Sequence, residues 1–97
     1  MAKVIDITDK LDFDSNPKIK IKDKEYEVNA DAETVLKVMG QFNADGGLSP
    51  AAIVNIYELI FDAQSRNQIN KLKLQFKDFQ TIIMEAVNLI TGEDEGE

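Results

Sequence analysis

A chain of 97 residues has room for one domain, and a composition that is 43% hydrophobic, with five Phe, two Tyr and only two Pro, is that of a folded core and not of a disordered chain. Eighteen acidic against 11 basic residues give a formal charge of −7, which disfavours binding nucleic acid by counterion release. With neither cysteine nor histidine, disulfides, thiol chemistry, Ser-His and Cys-His nucleophiles and the usual zinc ligands are all excluded.

Residues 1–17 read as an extended or irregular lead-in, in which Val4, Ile5 and Ile7 offer one short additional strand. The start lacks the apolar stretch of a secretion signal, and no apolar run approaches the ~20 residues that span a bilayer, so a cytoplasmic protein with no membrane partner is expected. Ser15-Asn16-Pro17 is turn chemistry. Beyond it Lys18-Ile19-Lys20-Ile21-Lys22 and Glu25-Tyr26-Glu27-Val28 alternate strictly, which predicts a β-hairpin. With Asp23-Lys24 as the turn, Lys22 faces Glu25 and Lys20 faces Glu27, while Ile21 lies opposite Tyr26 and Ile19 opposite Val28. One face is then apolar and the other a ladder of opposite charges, although Asp-Lys is not a favoured two-residue turn.

Three helices are expected next. The first starts at Asn29 or Asp31 as N-cap, carries Val35, Leu36, Met39 and Phe42 on one face, and stops in the loop residues Asn43 to Gly47. The second has Ser49 as N-cap with Pro50 at its first position and runs from Ala51 to about Ala63. The polar stretch Gln64 to Asn70 and the alternating Lys71-Leu72-Lys73-Leu74 then read as a connection. The third runs from about Gln75 to Thr91, with a hydrophobic staple between Leu74 and Phe79, Asp78 in its first turn and Gly92 as its stop. The fold class is therefore α+β: an N-terminal hairpin, with room for a third short strand, packed with three helices. A single domain over 18–91 lies between the lead-in and an acidic tail, 92–97, expected to be disordered. That tail holds four acids and no base, leaving −3 for the rest of the chain.

Little in the sequence marks a reactive site. Asp45-Gly46-Gly47 lacks the spacing and the Lys-Ser/Thr of a phosphate loop. Asp12-Phe13-Asp14-Ser15-Asn16 imitates the start of a calcium loop but places Pro17 where glycine is needed and Asp23 at the closing position. Asn43-Ala44-Asp45-Gly46 has the glycine but begins from Gln41 and closes at Ala52. No catalytic, cofactor or metal residue is assigned, and a non-enzymatic protein is expected. Arg66, Lys71, Lys73 and Lys77 form a basic run that is either a patch for an acidic partner or tail, or an ordinary solvated surface.

The helices hold more apolar surface than one small core uses. In the second, Ile53, Ile56, Tyr57 and Ile60 make a stripe, with Val54, Leu59 and Phe61 off it. In the third, Phe76, Phe79, Ile83, Ala86 and Ile90 make one line and Ile82 and Leu89 another. An outer helix needs only one stripe, so the surplus marks either a deeply buried pair or a surface that meets another chain. Tyr57, Phe61, Ile82 and Leu89 are the candidate exposed partner-binding anchors, Ile53 and Ile83 are assigned to the core, and a homo-oligomer is expected.

A charged hairpin, a helix, a Gly-containing loop into an apolar helix, and then LKLQFKDFQTIIMEAVNLITGEDEGE together resemble the small tail assembly chaperones of long-tailed bacteriophages and Gram-positive prophages. The likeness spans residues 18 to 95 and is strongest from Leu72 to Glu93. It implies a protein that binds and solubilises the helical tape-measure protein during virion assembly and leaves the finished particle. No site residue transfers, because that family has no invariant motif. Two other classes fit the same composition: a structural tail or head-completion subunit, and a small acidic regulator or inhibitor.

Overall fold

Alternation of Lys with Ile, and of Glu with Tyr and Val, is realised as an antiparallel hairpin, β1 (Lys18–Ile21) and β2 (Lys24–Glu27), followed by four helices in an α+β fold. The structure, a computed structural model, describes residues 2–11 and 15–92. The faces of the hairpin are as expected, with Tyr26 and Val28 buried and Ile19 and Ile21 packed against the core beside them. The register differs: Lys18 pairs with Glu27, Ile19 with Tyr26, Lys20 with Glu25 and Ile21 with Lys24. The turn is thus Lys22-Asp23, with Lys22 at φ 59°.

A slip of two residues leaves every side chain on its own face, so alternation cannot choose between these registers. The choice is made at the open end of the hairpin. The Val28 N–H donates to the Pro17 carbonyl at 2.9 Å, adding a rung to the ladder. Asn16 donates from Nδ2 to Glu27 Oε2 at 2.8 Å, and its Oδ1 accepts from the Ala30 N–H at 3.1 Å.

Among the described residues the sheet has two strands, and the lead-in adds none. Asp6 instead accepts from the N–H and hydroxyl of Thr8 at 3.0 and 2.6 Å, folding the chain into a 3-10 turn over Thr8–Lys10. Val4, Ile5, Ile7 and Leu11 stay exposed around it. Residues 12–14 of the calcium-loop match, and residues 93–97 of the 92–97 tail expected to be disordered, lie outside those described.

Helix α1 (Ala32–Met39) starts at Asp31, whose carboxylate accepts from the Thr34 N–H at 3.2 Å. Asn29, the other candidate cap, ties the end of the hairpin to the next helix: its N–H bonds the Ile60 carbonyl and its side chain the Leu59 carbonyl. The buried residue of α1 is Val38, flanked by half-buried Val35 and Phe42; Leu36 and Met39, expected on one face with Val35 and Phe42, are exposed.

Ser49 and Pro50 open α2 (Pro50–Ile60) as predicted, with Ser49 Oγ accepting from the Ala52 N–H at 3.1 Å. The helix ends three residues early, because Phe61 is extended (φ −119°, ψ 139°) and Asp62 opens a new element. Asp62 accepts from the Ser65 N–H at 2.8 Å and caps α3 (Ala63–Lys71), so the polar stretch expected to be a connection is a fourth helix. Its only buried apolar residue is Ile69, too little for a periodic signal. The alternation at 71–74 forms no strand; Lys73, at φ 54°, turns the chain into α4 (Phe76–Thr91). The latter starts and stops as expected, with Leu74 and Phe79 lining one cleft at its start and Gly92 left-handed at φ 79° at its end.

Tyr26 and Val28 from the sheet, Val38 from α1, Ile53, Ile56, Tyr57 and Ile60 from α2, then Phe61, Ile69, Ile83, Ala86 and Val87 form one core. No helix among the described residues is long and apolar enough to cross a membrane.

Candidate protein-interaction surface

Two of the four expected anchors are core residues. Phe61 is wholly buried and Tyr57 is 8% exposed. Because α2 breaks at Ile60, the Phe61 ring turns inward, where it meets Tyr57 edge-on at 5.9 Å between centroids; Phe79 meets Tyr57 from another side at 4.8 Å. The Tyr57 hydroxyl lies 2.8 Å from Asn70 Oδ1 and 3.0 Å from the Arg66 carbonyl, so α3 supplies acceptors for its proton. Burial pushes this phenol above its ordinary value, and the Arg66 charge partly opposes the shift.

Arg66, placed in the basic run, has a structural task. Its guanidinium donates from Nη1 to the Phe61 carbonyl at 2.6 Å and, at 3.3 Å, to the Glu58 carbonyl, satisfying the end of α2 from the first turn of α3. Lys71, Lys73 and Lys77 remain as exposed surface lysines.

Asp31 and Asp62, whose titration is displaced, are helix caps as well, and Asp6, displaced likewise, folds onto Thr8. Asp31 and Asp6 are held below the ordinary carboxylate value first by the hydroxyls and then by the N–H groups of Thr34 and Thr8, and Asp62 first by the N–H and then by the hydroxyl of Ser65. Among the described residues no group of three or more acids is placed to hold a metal ion.

What α4 leaves exposed is apolar on two flanks. Toward α1, exposed Met84, with the buried Val87 beneath, faces Met39 and Phe42 across an open cleft that Gly46, Asn88 and Thr91 also line. Met39 is 56% exposed, and Leu36, one turn earlier on α1, is also exposed. Toward the hairpin, Ile82 and Leu89 face Ile19 and Ile21 across a second cleft, edged by Lys18, Lys20 and Glu85. Leu89 is 44% exposed and Ile82 half-buried, so these two of the four candidates come together on one surface. A third cleft at the start of α4 is capped by Phe76 at 62% exposure.

The two methionines were not among the sequence candidates. Their signal was available in part: Met84 sits on α4 beside two apolar lines, and an unbranched thioether is well suited to surfaces that adapt to a partner. Comparison of the chain with known protein families, with curated proteins and with solved structures found no match.

Proposed function

We propose that this protein is a non-enzymatic assembly chaperone of the phage-tail type, acting in the host cytoplasm by holding a helical stretch of a long, tape-measure-like client until assembly consumes it. The observation that carries this reading is the cleft between α1 and α4, where Met39 and Met84 stay exposed beside buried Val87. An amphipathic helix laid in such a groove buries its apolar face against adaptable side chains, a common mode of helix recognition. The net charge of −7 helps keep a complex with an aggregation-prone client in solution.

The test is co-expression with a long helical reading frame from the same gene neighbourhood. The client is expected to be insoluble alone and to co-purify with the wild-type chain. Met39→Asp with Met84→Asp should abolish co-purification while circular dichroism stays that of the folded chain. A client that is soluble alone and never co-purifies refutes the reading; recovery of the protein from finished particles would make it a structural subunit instead.

A further inference from the structure

Among the described residues, the hairpin is a two-stranded sheet with no third strand on either edge, and the β1 edge is the one that borders a cleft with α4. Hydrogen-bonded pairs alternate along an antiparallel ladder, and the Val28–Pro17 bond sets the phase. Ile19 and Ile21 therefore aim their peptide groups at β2, and Lys18 and Lys20 aim theirs outward, where no described backbone group meets them. An open edge of this kind is a template for another strand. Below it lies the cleft in which Ile19 and Ile21 face Ile82 and Leu89.

The lead-in carries the complement. Val4, Ile5 and Ile7 are 89%, 72% and 49% exposed, and Asp6 stands between the two isoleucines. We propose that Val4–Ile7 of a second copy of this chain adds as a strand to the open edge of β1. With Asp6 set opposite Lys20, whether the strands run parallel or antiparallel, Ile5 and Ile7 fall beside Ile19 and Ile21, over the Ile82–Leu89 cleft. The acid then lies on the wet face among Lys18, Lys20 and Lys22. Charge also selects the edge, because the outward residues of β2 are Glu25 and Glu27, which repel Asp6.

The four residues from Val4 to Ile7 match the four of β1. In its own chain Asp6 is bonded to Thr8 and the Ile7 carbonyl accepts from the Lys10 N–H at 2.9 Å, so adding as a strand opens the 3-10 turn at Ile7, whose ψ of 13° is not extended. Each copy offers one arm and one edge, so reciprocal exchange closes a dimer and one-way exchange builds a longer assembly. This pairing does not depend on the client reading above and stands or falls separately from it.

The experiment uses the full chain, with light scattering and amide hydrogen exchange read from low micromolar to near-millimolar concentration. Self-association should rise over that range, with the Lys18 and Lys20 amides becoming protected in step with it. Ile5→Asp with Ile7→Asp should abolish both effects without changing circular dichroism. Asp6→Lys, which leaves the apolar residues intact, should weaken association roughly fivefold. The proposal is overturned by a wild-type chain that stays monomeric, by association that persists in the double variant, by Lys18 and Lys20 amides whose protection ignores concentration, or by an unchanged Asp6→Lys chain.

Discussion

Replacing Phe61 with alanine separates a core residue from a docking residue. The ring has no exposed surface and lies edge-on to Tyr57. Losing its transfer free energy and leaving a cavity should cost about 3–5 kcal/mol, of which the aromatic edge contact accounts for about 0.5–1.5 kcal/mol. A domain of this size has roughly 5–15 kcal/mol in total, so the variant stands near the limit of folding. Leu89→Ala, at a position 44% exposed, should cost less than ~1 kcal/mol. Urea unfolding followed by far-ultraviolet circular dichroism measures both, as shifts of midpoint at constant slope. If Phe61→Ala fails to fold, Phe61→Leu, which keeps most of the volume, should lose about 1 kcal/mol and preserve the ranking. A Phe61→Ala chain within ~1 kcal/mol of wild type would refute the packing, since only a ring outside the core could be removed so cheaply.

The register is checked by a double-mutant cycle: Lys20→Glu and Glu25→Lys should each cost less than ~1 kcal/mol and together recover most of it, whereas Lys20→Glu with Glu27→Lys should show no such coupling in urea midpoints. Acid titration checks the caps. The folded values of Asp31 and Asp62 are depressed below 3.8, so the stability they contribute is present above that value and lost as pH falls through the folded values. Asp31→Asn with Asp62→Asn keeps a capping acceptor but removes the charge, and should flatten the fall in urea midpoint between ~pH 5 and ~pH 2.

Period and punctuation carried most of the fold. The hairpin faces follow from strict alternation, α2 from Ser49-Pro50, and α4 from its apolar line and Gly92. The register was not legible, because it depends on what Asn16 and Pro17 bond at the far end of the hairpin, and alternation is blind to a two-residue slip. Helix α3 was not legible either, since Ile69 is its single buried apolar residue; Asp62, three residues before Ser65, was the remaining signal. That omission propagated to the surface. Tyr57 reads as spare without the helix that holds acceptors for its hydroxyl, and Phe61 reads as spare when α2 is carried past the point where it breaks. Helical spacing puts Met39 on one face with Val35, Leu36 and Phe42, yet α1 turns Val38 to the core and the methionine out.

Among the described residues, every fully sheltered side chain in this domain belongs to an apolar or tyrosine residue, and none carries a charge. Aliphatic side chains of similar volume can replace one another in such an interior at small cost. Selection on the fold alone would therefore leave the identities of Ile53, Ile56, Ile60 and Ile83 free to drift while their spacing persists. The positions expected to resist exchange are those where the backbone changes course: Ser49 and Pro50, Asp62, Arg66 over the end of α2, and Gly92. A distant relative of this chain would be recognised by that sparse set of turning points, with an interior rewritten almost throughout.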